Sequence, residues 1–578
     1  MNMLEDEPNQ KNALSVHTFE DGWPDQLSPL PLPVLSIDQM PTQVNLRKIS
    51  NWAFMNEQEV LAGSTIDGMP TWILPVVEVE HIKNAMRRPG KVIRTGGDEY
   101  IRFLRNLTKS SGIYALASVA LPLISLLLAP FLTRYLSSSD YGIFTILNTS
   151  IGLIAGITQL GLASAFFRAY GYDYTTQHDQ RAVLATVTAL LFLSSMLVAI
   201  GMTIMAPFLA HLLFGRSSLS SLISLTGWIV LLQNLTVPGF AWLRAENRSL
   251  HYSLLTISSL LITLIANILL VGGLHWGVTG SLIATGCGYI SVLLCTIPVI
   301  LLRAGIRIRP DIARSLLAFG LPLVLNFVSY WVLQLSDRYL LSFFGSLEQT
   351  AKYAVVYTLG SAMGVVVIGP FTLAWPTAMF TIAKRDDAVQ VFRLIFRWFS
   401  MLLLFAAFTL SFVSTLLLDW LFPVVYHSAA TIIPIIAVSI AFYGIYYVFM
   451  VGANVTRKTW IAAVFTTAAA IINVAFNLVL IPSYGAMGAA VSTLLAYIVL
   501  AVSAYIVNQR IYPIPFEIDI FVVASLLGVA LYTGSDYLAD TQGVYMAWSI
   551  HISAICFYGC CLALLGKLWR RGSKNKYQ

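Results

Sequence analysis

Ala182–Thr203 reads AVLATVTALLFLSSMLVAIGMT, and Trp460–Ile481 reads WIAAVFTTAAAIINVAFNLVLI; neither holds a charge. An α-helix rises about 1.5 Å per residue, so about 20 such residues cross the hydrocarbon core of a bilayer. Working outward, about fourteen stretches qualify, at 113–133, 142–163, 182–203, 219–240, 253–273, 279–302, 316–336, 354–376, 398–416, 430–451, 460–481, 486–507, 518–535 and 545–565. The fold class expected is an all-α polytopic membrane protein. Composition agrees: 57% of the 578 residues are hydrophobic and 11% charged, against about a quarter charged in soluble domains.

The net charge of +7 reads as topology. Of the 35 Lys and Arg, 20 fall in alternate loops and the C-terminal tail, from Arg168, Arg181, Arg244 and Arg248 through Arg307 to Lys574 and Lys576. The other loops hold four, Arg134, Arg216, Arg338 and Lys352, and the remaining 11 precede the first span. This asymmetry places both termini in the cytoplasm. The basic residues are scattered over short loops and form no stripe with interleaved aromatics, so no nucleic-acid partner is expected.

Residues 1–108 form a separate cytoplasmic extension, with prolines at Ser28–Pro33, an apolar patch at Trp72–Val77 and a basic run from Arg87 to Lys109 suited to anionic headgroups. It lacks the apolar core of a cleavable signal peptide, and Met86 offers a later start. The remainder is duplicated. Leu121-Pro122-Leu123 recurs as Leu321-Pro322-Leu323, and Arg134-Tyr135-Leu136 as Arg338-Tyr339-Leu340. Asp140-Tyr141 is echoed by Lys352-Tyr353, and Gly277 to Gly280 by Gly485 to Gly488. Six spans separate equivalent points, so the halves enter the membrane in the same direction. The expected architecture is two parallel six-helix bundles, 109–303 and 304–510, around a central cavity, with a helix pair and basic tail at 511–578.

A transporter of this design needs polar groups facing its cavity, because a charge facing lipid costs about 2.5–3.5 kcal/mol or more at the helix centre. The candidates are Arg134, Asp337 and Arg338 at the outer ends of spans 1 and 7, and Asn326, Tyr330 and Gln334 at a spacing of four along span 7. Arg168 and Arg244 end cytoplasmic helix termini, where topology alone also accounts for them. Interfacial anchoring is the competing reading for Arg134 and Arg338. Pro122 and Pro322 read as hinge or packing positions, and Gly277, Gly280, Gly485 and Gly488 as close-packing contacts.

Other polar features read as structural. His275 and His427 sit in outer loops, Lys384-Arg385-Asp386-Asp387 is a solvated cluster, and the sequon at Asn234 falls beside a span. The five cysteines, Cys287, Cys295, Cys556, Cys560 and Cys561, lie inside spans as small apolar residues, and no metal site or cofactor is expected. A phosphate loop is missing, and spans 1 and 7 carry no acid in their interiors.

Several motifs carry a resemblance: Ala129-Pro130-Phe131-Leu132-Thr133-Arg134-Tyr135-Leu136, Asp140-Tyr141-Gly142-Ile143, Leu243-Arg244-Ala245-Glu246-Asn247-Arg248, Ser336-Asp337-Arg338-Tyr339-Leu340, and Asn477 to Pro482 with Gly485 to Gly488. Over residues 105–510 the chain resembles the Wzx-type flippases, the polysaccharide-export branch of the multidrug/oligosaccharidyl-lipid/polysaccharide (MOP) exporter superfamily. The resemblance implies a non-enzymatic protein of the bacterial inner membrane. Its substrate would be a polyprenyl-pyrophosphate-linked oligosaccharide moved by alternating access, with cationic residues holding the anionic headgroup. That role falls on Arg338 and Arg134 first, then Arg168 and Arg244. Membrane lipids, a polysaccharide polymerase and chain-length machinery are the partners implied. The long N-terminal extension and spans 13 and 14 depart from the usual twelve-span pattern; lipid II flippases also carry fourteen. A cation-coupled multidrug antiporter and a lipid II-type flippase are the alternatives, and a membrane glycan polymerase or ligase would need a large outer loop that is missing here.

Overall fold

The computed structural model describes residues 124 and 126–574, apart from 306–307, 459 and 541. The N-terminal extension 1–108, the motif containing Pro122, the first half of the 113–133 span, Arg307 and Lys576 lie outside the described residues.

Lipid offers no hydrogen-bond partners to the backbone, so each apolar stretch closes its own bonds as a helix. The helices are α1 (126–135), α2 (Ser138–Thr158), α3 (Gln177–Ile204), α4 (Ser220–Ala245), α5 (Ser249–Asn267), α6 (Gly277–Ala304) and α7 (Pro310–Phe344). There follow α8 (Leu347–Pro376), α9 (Ala388–Leu421), α10 (Val424–Val455), α11 (460–484), α12 (486–511), α13 (Ile518–Asp540) and α14 (Val544–Lys574). Twelve helices among the described residues are long and apolar enough to cross a membrane. One of them, Trp460–Ile511, is two helices meeting at Gly485 (φ 54°), and α1 continues the first expected span. The architecture is the all-helical, roughly fourteen-span one anticipated from the sequence.

Helix starts follow local chemistry. Ser137, Thr176 and Ser346 accept hydrogen bonds from the backbone N–H of Asp140, Asp179 and Gln349, capping α2, α3 and α8. Ser137 and Ser346 thus open the second helix of each half. By that alignment Tyr141 lies one turn closer to its cap than Tyr353 does, although the two share a sequence echo. Packing partners also recur: α4 packs on α2, α3 and α6, and α10 packs on α8, α9 and the α11–α12 pair. The pair α13–α14 lies against α9, with Tyr558 buried between Phe408 and the carbonyl of Ala524.

The two halves meet along α2. Gly142 sits against the backbone of Leu347, Gly156 receives the ring of Phe327, and Gly161 (φ 65°) lies backbone to backbone with Gly320. Between them Ser150 shares a hydrogen bond of 2.6 Å with the Tyr339 hydroxyl. Small residues let helices approach this closely in lipid. A Cβ at position 142 would overlap the Leu347 carbonyl, whereas one at Gly201 meets nothing. Gly142→Ala should therefore destabilise the protein by about 1–3 kcal/mol, seen as a lower thermal midpoint of the purified protein. Gly201→Ala should leave that midpoint unchanged or slightly raised.

Candidate functional site

The polar face of α7 is built as its spacing requires. Asn326, Tyr330 and Gln334 are partly exposed on it, and the Gln334 amide donates to the Tyr330 hydroxyl at 3.5 Å. Tyr357 of α8 donates to the Gln334 side-chain oxygen at 3.0 Å. One turn on, Asp337 and Arg338 are 2% and 7% exposed and form an ion pair of 3.0 Å. Tyr353 donates to the other oxygen of Asp337. The Arg338 guanidinium also lies 4.5 Å from the Tyr357 ring centre and donates to the Gln334 carbonyl. Burial without the carboxylate would be costly for either charge, so Arg338 is a neutralised, packed cation inside the second half.

The other arginines stand elsewhere. Arg134 is exposed at the end of α1 and donates to the carbonyl of Trp420 at 3.3 Å, joining the first half to the end of α9. Arg168 pairs with Asp173 at 3.3 Å and lies 4.9 Å from the ring centre of Phe319 on α7. Nineteen helical residues separate Phe319 from Arg338, about 28 Å along the axis. The structure therefore brings Arg168 and Arg244 together at one end and holds Arg338 and Arg134 towards the other; the four do not form one ring.

At the end of the bundle rich in Lys and Arg, cations stack on aromatic faces. Arg244 lies 4.7 Å from the Phe167 ring and 5.8 Å from Tyr252, and its Nε is buried without a hydrogen-bond partner. Arg248 and Arg303 lie at 5.2 and 5.1 Å from the same Trp242 ring. Among the described residues none of these three has a carboxylate within salt-bridge reach. Glu246, the nearest acid in sequence, is instead bound by the Tyr170 hydroxyl at 2.6 Å. Ring faces hold a guanidinium by its quadrupole without neutralising it, so this end keeps free positive charge.

The glycine pairs show matching geometry. Gly277 (φ 57°) and Gly485 (φ 54°) make the sharp turns, and Gly280 and Gly488 face the carbonyls of Leu270 and Leu480 from the preceding helices. Pro322 sits inside α7, two residues beyond the Gly320 contact with Gly161. His427 at the start of α10 is 3.1 Å from Asp419 near the end of α9, and Arg385 pairs with Asp387 at 2.7 Å on the surface. The Arg385 guanidinium holds the Asp387 carboxyl below the usual carboxylate range. No cluster of metal-ligating residues occurs among the described residues.

Three polar groups escaped the sequence reading. Asn234, which reads as an idle sequon, is fully buried and donates to Thr158 at 2.6 Å and Ser195 at 2.8 Å while accepting from Gln159. Arg393 and Arg397, which read as topology charges, both grip the buried Glu517, and Arg397 also donates to Gly566 of α14. Tyr443, Tyr446 and Tyr447 on α10 read as an apolar run and form an aromatic cluster. Only the loop position of Glu517 and the four-residue spacing of Arg393 and Arg397 hinted at any of this.

Residues 107–382 match the family model described as "Polysaccharide biosynthesis protein". No curated protein matches the chain. The structure resembles the lipid II flippase MurJ in an inward closed conformation, with a TM-score of 0.62 and 16% identity over 78% of this chain and 98% of that one. It resembles an inward-facing multidrug resistance MATE family transporter of the MOP superfamily at 0.54 and 15%, over 68% and 97%. A mutant of the Vibrio cholerae MATE transporter VcmN aligns at 0.50 and 15%, over 70% and 96%. The fold is thus one shared with these membrane transporters.

The Glu517 cluster is a direct test of how α13 and α14 are held. Glu517→Gln takes its anion from the buried Arg397 guanidinium, and losing one partner of a buried pair costs about 3–5 kcal/mol. The thermal midpoint of the purified protein should fall sharply, and proteolysis should begin in 511–518.

Proposed function

We propose that this protein is a flippase that moves polyprenyl-pyrophosphate-linked oligosaccharide across the bacterial inner membrane by alternating access. The single observation that supports this reading best is the set of carboxylate-free guanidiniums of Arg244, Arg248 and Arg303 at one end of the first half. A pyrophosphate carries several negative charges and cannot enter lipid unaided. Planar, weakly hydrated guanidiniums held on ring faces match its oxygens.

On this reading the end rich in Lys and Arg is cytoplasmic and is the entrance, where Arg168 and Arg244 take the headgroup. Residues 109–303 and 304–510 are the two rocking bundles, Asn326 and Gln334 line the path, Arg338 with Asp337 lies deeper, and Arg134 marks the exit. Pro322 and the paired glycines Gly277, Gly280, Gly485 and Gly488 are the points about which helices pack and bend. The 511–578 pair is an addition held on α9, and residues 1–108 are an accessory cytoplasmic segment. The protein performs no covalent chemistry, and a polymerase and its chain-length machinery would take up the product. A lipid II-type substrate is a second reading, favoured by the alignment over nearly the whole of MurJ.

Arg244→Ala and Arg303→Ala should each lower surface glycan at least tenfold, a loss of about 1.4 kcal/mol, at normal protein level, with lipid-linked precursor accumulating inside. Normal glycan in both would remove the entrance assignment. Accumulation of lipid II instead of glycan lipid on depletion would favour the second reading. For topology, a fluorescent protein fused after Gln578 should fluoresce, while a periplasm-active phosphatase inserted at 425–428 should be active; the reverse pattern would invert the orientation.

A further inference from the structure

Four helices of the second half send tyrosines to one place. Tyr330 on α7 and Tyr443 on α10 have ring centres 6.5 Å apart. Tyr443 stacks on Tyr497 of α12 at 5.2 Å and meets Tyr447 edge-on at 5.2 Å, with their hydroxyls 2.8 Å apart. From α8, Tyr357 reaches Gln334, which in turn reaches Tyr330. Tyr357, Tyr446 and Tyr497 are buried, yet Tyr330, Gln334, Tyr443 and Tyr447 keep part of their surface open. Side chains that converge from four helices lie between those helices, and we take the surface they leave open as facing the interior of the bundle.

The chemistry of this wall is specific. It offers phenol hydroxyls and an amide, each able to donate and accept, beside aromatic faces. Its ions among the described residues, Asp337 and Arg338, neutralise each other. An anionic headgroup gains little here, and an organic cation meets Arg338 already lying over the Tyr357 ring. A neutral pyranose suits it on every count: its hydroxyls match the polar rim and its C–H face packs on a ring.

We infer that Tyr330, Tyr443, Tyr447 and Gln334 form a saccharide subsite that holds an uncharged sugar residue of the cargo. It is separate from the cationic end that meets the pyrophosphate. This subsite rests on the glycan-lipid reading above and adds to it a division of labour between sugar and phosphate.

The test uses the full chain in lipid nanodiscs with three probes: polyprenyl pyrophosphate, the same lipid bearing a neutral hexose disaccharide, and tetraphenylphosphonium. Tyr443→Leu and Gln334→Leu should each weaken disaccharide-lipid binding about tenfold, and Tyr443→Leu should leave polyprenyl pyrophosphate unaffected. Tyr443→Trp, which keeps a ring, should retain most of the affinity and guards against loss through misfolding. Arg244→Ala should weaken both lipids alike. Equal loss of both lipids in Tyr443→Leu and Gln334→Leu, or no loss of either, would overturn the subsite. So would tetraphenylphosphonium binding that Tyr443→Leu abolishes, since the wall would then be a cation cage. If the unaltered protein bound neither lipid, the glycan-lipid reading itself would fall, and the subsite with it.

Discussion

Everything else in the structure depends on how closely α2 approaches the second half. Its contact at Gly142 with Leu347, and that of Gly161 three residues past its end with Gly320, are both backbone against backbone, and the helix from Gly142 to Thr158 already rises about 24 Å. That is most of the thickness of the hydrocarbon core. One helix and the turn that follows it therefore run along the seam between the halves, and the Ser150–Tyr339 hydrogen bond and the Gly156–Phe327 insertion fill the interval. In a medium without a hydrophobic driving force between helices, such tight van der Waals contact is the main source of association. It is also the contact that any opening to either side must partly undo.

Charge is partitioned by its surroundings. Where a guanidinium meets a carboxylate it is buried and fixed, as at Arg338 with Asp337 or Arg397 with Glu517. Where ring faces hold it and no carboxylate among the described residues lies within salt-bridge reach, its charge is left unpaired, as at Arg244, Arg248 and Arg303. The first arrangement holds helices together, and the second keeps charge for something that arrives from outside. Arg309 shows the intermediate case: its two carboxylate partners, Asp179 and Asp311, tie the start of α7 to the start of α3 on a partly open surface.

The spans, their number and the duplicated plan were legible because lipid imposes a length and a composition on each helix, and both survive in the sequence unaltered. The polar face of α7 was legible for the same kind of reason: Asn326, Tyr330 and Gln334 keep helical period. What could not be read was partnership across helices. Arg338 and Arg134 looked alike by repetition, yet one is sealed against Asp337 and the other rests on the Trp420 carbonyl. Arg393 and Arg397 followed the loop-charge rule so well that their grip on Glu517, 120 residues or more away in sequence, showed only in their four-residue spacing. The tyrosines of α10 stand in an apolar run, and nothing in that run marks which rings face inward.

The attachment of α13 and α14 to α9, with Phe521 of α13 also meeting Phe442 of α10, has a mechanical consequence. The added pair enlarges the cross-section that the second half drags through a viscous lipid sheet, but lends nothing to the α2 seam. Any relative rotation of the halves is then divided unequally, with the slimmer partner sweeping the larger angle and the bulkier one serving as the anchor.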